Sequence, residues 1–175
     1  MYTIYLAGYI SGKKIKECMA WRKEIREKYD HWKEKSNVDI TEVGFKDNKS
    51  WERYPICWLD PLNGQQFESI DKEGLHSSVP GTALVNRDYW CVKKSDLLIV
   101  NLDTFGCTRP LTGTIYELAW AWEFKIPVIA IKGEDHYNDH PFLKDTVKIW
   151  VNSIEELIDK KWINYFYKSS VSAIY

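Results

Sequence analysis

The chain has 175 residues and a formal net charge of −1. That length suits one domain with a sizeable core, and the balanced charge offers no global electrostatic attraction to nucleic acid or to a membrane surface. No apolar run approaches the ~20 residues of a membrane span, and the N-terminus enters a strand at once, so neither a transmembrane segment nor a signal peptide is expected.

Residues 2–7 form a short run of aromatic and β-branched residues ended by Gly8, which predicts a first strand. Over 13–35, Ile15, Cys18, Met19, Ile25, Tyr29 and Trp32 recur at helical spacing among Lys and Glu, predicting an amphipathic helix with one buried stripe. After a polar, Trp-bearing stretch, Ile56–Leu59 before Asp60-Pro61 reads as a second strand. Residues 62–81 contain Gly64, Gly74, Pro80 and Gly81 without a clear period, which predicts a lid or binding loop. A helix over 82–94 feeds a buried strand over 96–102. Residues 114–125 predict a helix burying Ile115, Leu118, Ala119 and Trp122. The run 128–131 is another strand, 147–151 a fifth, and Ser153-Ile-Glu-Glu156 is a capping box opening a last helix. Strand and helix alternate throughout, predicting an α/β fold with a parallel sheet covered on both faces. The whole of 1–175 reads as a single domain, with 41–81 as an extended insertion or lid and 168–175 as a C-terminal tail.

In an open parallel sheet, ligands bind past the carboxyl ends of the strands. Glu117 falls there, just after the buried run 96–102 and a Gly- and Thr-rich turn. Two readings stand for it. Thr114-Ile-Tyr-Glu117 has the form of a capping box, in which the glutamate only satisfies a helix N-terminus. The alternative is chemistry shared with Asp88 upstream, whose plain reading is a helix carboxylate paired with Arg87. Two carboxylates in one cleft are the minimum for cleaving a bond at an anomeric carbon, one attacking and one handling protons.

The turn Gly8-Tyr-Ile-Ser-Gly-Lys-Lys14 places small residues, a hydroxyl and two lysines before a helix. It reads either as an anion site or as a glycine-rich turn followed by solvated lysines; it matches neither a dinucleotide fingerprint nor a P-loop. His136 and His140, four apart in an apparent loop with no evident third ligand, read as surface. Cys18, Cys57, Cys91 and Cys107 are scattered, without a C-x-x-C pair or an activating histidine, which suits reduced thiols in a cytoplasmic setting.

Ile4-Tyr-Leu-Ala-Gly8, Asn86-Arg-Asp88, Ser95-Asp-Leu-Leu-Ile-Val-Asn-Leu-Asp103 and Gly113-Thr-Ile-Tyr-Glu-Leu-Ala119 together resemble the nucleoside 2-deoxyribosyltransferase family. That family includes deoxynucleoside 5'-monophosphate N-glycosidases and phage members. The resemblance runs in order through nearly the whole chain. It implies a flavodoxin-like doubly wound sheet of about five parallel strands, and homo-oligomers with shared active sites. It gives Glu117 the part of the nucleophile that attacks C1' of the deoxyribose, Asp88 the part of the acid that contacts the base and moves its proton, and Tyr5 the phenol that holds the nucleophile.

Substrate contacts on this reading fall to Gly8, Tyr9, Ser11, Gly12 and Lys13 in the first turn, and to Asp60 past the second strand. Asp103, Arg109, Gly113 and Thr114 surround the nucleophile's turn. Tyr175 ends the chain as the terminal tyrosine of the transferases does, and its carboxylate is expected in a partner's cleft. The partners implied are a small deoxynucleoside or deoxynucleotide and a nucleobase, with no metal or organic cofactor. The turn Thr108-Arg-Pro-Leu-Thr112 departs from those transferases that carry an aspartate there; either Asp103 takes that part or the part is absent, and with Arg109 the turn is closer to the nucleotide hydrolases.

Overall fold

The computed structural model describes residues 1–10, 15–36, 56–62, 67–71, 74–77, 80–133 and 136–172. Five strands, β1 (Tyr2–Gly8), β2 (Ile56–Leu59), β5 (Leu97–Asn101), β6 (Val128–Ile131) and β7 (Ile149–Val151), form one parallel sheet in the order β2-β1-β5-β6-β7. Counting only these strands along the chain, the order is 2-1-3-4-5, the flavodoxin-like arrangement. The strand order reverses at β1, whose neighbours are β2 on one side and β5 on the other, with Gly8 opposite Asn101 at the carboxyl end.

The central strands are near-continuous runs of Leu, Ile, Val and Ala because both of their faces are covered. Tyr2, Ile4 and Leu6 of β1 and Leu97 and Ile99 of β5 pack on one side with α1 (Ile15–Ser36), α5 (Ile154–Asp159) and α6 (Trp162–Ser172). Tyr5 and Ala7, with Leu98 and Val100, pack on the other side with α2 (Gly81–Lys93), α3 (Thr112–Glu123) and α4 (Pro141–Thr146). Each fully buried aliphatic side chain contributes about 1.5–3 kcal/mol of transfer free energy to this two-sided core. No helix among the described residues is long and apolar enough to cross a membrane.

Several elements differ from the sequence expectation. The aperiodic stretch 62–81 contains an antiparallel ribbon, β3 (Phe67–Asp71) and β4 (Gly74–Ser77), outside the main sheet. In α1 the buried set is Cys18, Trp21, Arg22, Ile25 and Tyr29, while Met19 is 45% exposed. The side chains of Ile15 and Trp32 lie outside the described residues. The fifth strand is shortened to Ile149–Val151 because Pro141–Thr146 is helical and ends just before it. Ser153 does cap α5, accepting from the Glu156 amide at 3.1 Å, while Glu156 accepts from the Asn152 amide at 2.7 Å.

The largest correction concerns α3, which starts two residues earlier than expected, at Thr112, with Leu111 at its cap position. Thr114 and Glu117 are therefore inside the helix and form no capping box. The core-facing stripe is Thr114, Glu117, Leu118 and Ala121. Ala119 is exposed and Trp122 is 55% exposed, against the expected stripe. The helix stops in a Schellman motif: Ile126 N–H bonds Ala121 C=O at 2.9 Å and Lys125 N–H bonds Trp122 C=O at 3.1 Å, with Lys125 in the left-handed region at φ 59°.

Candidate active site

Parallel strands bring all their carboxyl ends to one edge of the sheet, and the reversal of strand order between β1 and β5 opens that edge to a ligand. The helices that follow β2 and β5 along the chain, α2 and α3, carry the two acids there. Because α3 is rotated so that polar Thr114 and Glu117 face the sheet, Glu117 is only 6% exposed. Its Oε1 accepts a hydrogen bond from the phenol of Tyr5, 2.6 Å away across 112 positions of sequence. Tyr5 is fully buried in the middle of β1, so its ring is fixed by packing rather than by the bond it makes.

A carboxyl so enclosed resists ionisation. Burial pushes the Glu117 pKa up from 4.5 to about 8, and the nearby Asp88 carboxylate adds to the rise. The Tyr5 hydrogen bond and the charges of Arg22 and Arg87 oppose it. Asp88, on α2, is also raised by burial; its bonds from Arg87 pull the other way, and Asp60 pushes it up. An ionised Asp88 therefore favours the protonated form of Glu117. The Tyr5 phenol is held well above its usual value by burial and by the charges of Glu117 and Asp88. It remains a hydrogen-bond donor.

Arg87 fixes Asp88. Its Nε and Nη2 reach Asp88 Oδ1 at 3.2 and 2.9 Å, and Nη2 also donates to the Pro61 carbonyl. Asp88 Oδ2 makes no hydrogen bond among the described residues. The pairing with Arg87 expected of an ordinary helix carboxylate is thus present, but with an Asp88 side chain only 15% exposed it is not an open surface pair.

The other expected contacts divide. Asp60 is buried, and both of its oxygens have protein partners: Oδ1 accepts from Leu62 N–H at 2.8 Å, and Oδ2 is paired with Arg26. It anchors the chain past β2 and bears on Asp88 through its charge. Asp103 shapes the turn after β5, accepting from Phe105 N–H at 2.6 Å. Its own N–H bonds the Asn101 side chain at 2.9 Å. Gly8 permits close packing: a Cβ there would lie 2.8 Å from the Trp21 ring and 3.1 Å from the Asn101 carbonyl.

Tyr9 is buried beside Cys107, and burial with that neighbour raises its phenol to about 12, against the lowering effect of Arg109. Arg109 and Gly113 are exposed and Thr114 is buried. A Cβ on Gly113 would meet nothing within 4 Å. Ser11, Gly12, Lys13 and Tyr175 lie outside the described residues, as do 41–55 of the expected lid. His136–Asp139 is a single 3-10 turn, and among the described residues no three His, Cys, Asp or Glu side chains group as metal ligands would. No disulfide joins the four cysteines.

Arg22 is the residue that the sequence reading passed over. It is 1% exposed, and its guanidinium donates to the carbonyls of Leu6 at 3.3 Å, Gly8 at 3.0 Å and Cys18. The signal was available: Cys18, Arg22, Ile25 and Tyr29 share the helical stripe that faces the sheet, and a charge on such a stripe is expensive unless it is bonded.

No protein-family model matches the sequence, and no curated protein does either. Among solved structures, the chain is similar to a 2-desoxiribosyltransferase from Leishmania mexicana, at 16% identity and a TM-score of 0.40, covering 83% of this chain and 71% of that one. It is also similar to the CMP N-glycosidase BcmB of Clostridium botulinum, at 14% identity and a TM-score of 0.45, covering 92% of this chain and 98% of that one.

Proposed function

We propose that this chain is a nucleoside 2'-deoxyribosyltransferase that cleaves the N-glycosidic bond through a covalent deoxyribosyl-Glu117 intermediate. The observation that carries the reading is the buried Tyr5–Glu117 hydrogen bond at the point where the strand order reverses, with a second carboxyl, Asp88, close enough for its charge to act on Glu117. An Oε of ionised Glu117 attacks C1' as the C1'–N bond breaks. The bonding pair leaves with the base, and the proton on Asp88 goes to a base nitrogen. A second base then attacks C1', gives its proton to Asp88 and releases the Glu117 carboxylate. The transition states are oxocarbenium-like, and a sugar without a 2'-hydroxyl reaches them more readily because less electron density is withdrawn from C1'. Every bond made or broken here needs only carboxyl groups, so the reading calls for no cofactor.

Hydrolysis of a 2'-deoxynucleoside 5'-monophosphate is the second reading. It is favoured by the exposed guanidinium of Arg109, whose charge reaches Tyr9 at the same edge of the sheet. The partner in either case is a small molecule. We also assign the exposed face of α2 and α3, with Val85, Trp90, Tyr116 and Trp122 each more than half exposed, to contact between copies of the chain. The same helices carry Asp88 and Glu117, so such contact would place neighbouring sites together.

The test is chromatography of reactions of the untagged protein with a panel of 2'-deoxynucleosides and their 5'-monophosphates, with and without a second base. Exchange to a new nucleoside is the expected result. Free base and sugar, with the monophosphate preferred, would replace it by the hydrolase. No turnover, with ligand-induced thermal stabilisation intact, would leave a nucleotide-binding protein of this fold.

Tyr5→Phe isolates the phenol's part. A hydrogen bond to a charged group contributes about 1.5–3 kcal/mol, so kcat should fall by roughly ten- to a hundredfold with little change in KM. Without that donor, the Glu117 pKa should rise above its wild-type value. A pH profile of kcat checks both, and an unchanged kcat would remove Tyr5 from the mechanism.

A further inference from the structure

We propose that Arg87 is a positioning residue that decides which oxygen of Asp88 meets the leaving base: it occupies Oδ1, so the acid's proton is carried and delivered by Oδ2. The inference rests on the proton-handling role proposed above for Asp88 and names the atom through which that role is performed.

The geometry begins one element away, past the end of β2. Asp60 Oδ1 accepts from the Leu62 amide at 2.8 Å, which closes the turn over Pro61, and Arg26 of α1 pairs with Asp60 Oδ2. The turn held in this way offers the Pro61 carbonyl to α2, and Arg87 Nη2 donates to it. From the same Nη2 and from Nε, Arg87 also reaches Asp88 Oδ1, at 2.9 and 3.2 Å. Consecutive residues of a helix point about 100° apart and do not ordinarily face each other. The contact is therefore no by-product of helical spacing; it needs the guanidinium to be turned toward its neighbour, and the Pro61 carbonyl is the seat that turns it. The group is planar and rigid, so bonds to two different elements fix its orientation as well as its place.

The asymmetry this creates at Asp88 has a chemical meaning. A two-pronged arginine pair usually sets one nitrogen against each carboxylate oxygen. Here both donors converge on Oδ1, and among the described residues nothing bonds Oδ2. A guanidinium has five N–H donors and no acceptor. The oxygen that faces it must accept, so a protonated Asp88 keeps its hydrogen off Oδ1 and carries it on Oδ2. As the C1'–N bond breaks and its electron pair leaves with the base, that hydrogen passes from Oδ2 to a base nitrogen. The carboxylate left behind is met at Oδ1 by two charge-assisted bonds already in place, so no group has to reorganise to receive the new charge. Asp60, whose oxygens are both taken by protein groups, acts at one remove by holding the seat.

The experiment compares kcat/KM of the full chain as wild type, Arg87→Lys, Asp88→Asn and the double variant on 2'-deoxyguanosine and 7-methyl-2'-deoxyguanosine, with thermal unfolding of each protein. Lysine keeps the positive charge and loses the planar fork. Arg87→Lys should lose roughly ten- to a hundredfold on 2'-deoxyguanosine, the scale of hydrogen bonds to a charged group. Its loss on the methylated substrate, whose base departs without needing a proton, should be about tenfold smaller. Added to Asp88→Asn, the same change should cost no more than about twofold further, because the acid through which Arg87 acts is gone. Wild-type activity in Arg87→Lys, equal losses on the two substrates, or additive losses in the double variant would each overturn the proposal. Should Arg87→Lys fail to fold, the 15Nε resonance of Arg87 in the wild-type chain decides the matter. It should inflect at the midpoint of the Asp88 carboxyl and lose that inflection in Asp88→Asn; a wild-type resonance that does not respond overturns the idea. If wild type turns over no nucleoside, the proposed function fails, while the Nε titration still reports whether Arg87 holds Asp88.

Discussion

Glu117→Gln should lower turnover by about three orders of magnitude or more, in a protein that stays folded and resists alkali better than wild type. The amide cannot form the glycosyl ester, which accounts for the first half. The second half follows from the titration. The folded chain holds a proton on Glu117 up to about pH 8, whereas the unfolded chain releases it near 4.5. Between those values the unfolded state binds fewer protons, so wild-type stability falls as pH rises, by up to about 1.4 kcal/mol per pH unit. The amide side chain of Glu117→Gln has no proton to lose. Urea unfolding of both proteins at pH 5.5 and 8 should show wild type losing stability relative to the variant across that interval. Equal slopes would mean that Glu117 is not held as a buried acid. Retained turnover would end the covalent mechanism.

Asp88→Asn should cost roughly a hundred- to ten-thousandfold in kcat/KM toward ordinary nucleosides, the usual scale for losing a general acid. The loss should depend on the leaving group. A base that already carries a positive charge, as in 7-methyl-2'-deoxyguanosine, departs neutral and needs no proton. Asp88→Asn should therefore cleave that substrate at close to the wild-type rate. The variant keeps the geometry that makes this a fair test, since the amide carbonyl can still accept from Arg87 where Asp88 Oδ1 does now. Equal losses on both substrates would show that Asp88 positions the base and moves no proton.

The strands were readable because burial on both faces writes them as unbroken apolar runs: β2 and β6 match the expected limits, and β1 and β5 differ by single residues at their ends. The phase of α3 was misread for a physical reason. An apolar stripe is ordinarily assumed to face the core, but here two core-facing places hold Thr114 and Glu117, and Trp122 is displaced to the surface. Local pattern cannot show that a polar residue has been given a core position. Arg22 was hidden by the same assumption, because a charge in a helix was counted with the solvated ones. The ribbon β3–β4 escaped because Lys72-Glu73 between its strands lacks the Asn-Gly or Asp-Gly signature of a tight hairpin. Asp60 and Asp103 were correctly placed past strand ends, but the sequence held no sign that turn amides and Arg26 would take up their oxygens.

The position of β1 has a consequence in time as well as in space. It leaves the ribosome ahead of both its partners, yet it lies inside the sheet, between strands that begin at Ile56 and Leu97. At a synthesis rate of roughly 5–20 residues per second, the strand waits on the order of ten seconds for the chain that will cover its inner edge. Throughout that interval Tyr5 has no Glu117 carboxylate to hold. The Tyr5–Glu117 hydrogen bond spans 112 positions, so it cannot form until α3 has been made, and a shorter nascent chain carries the phenol without its carboxylate partner.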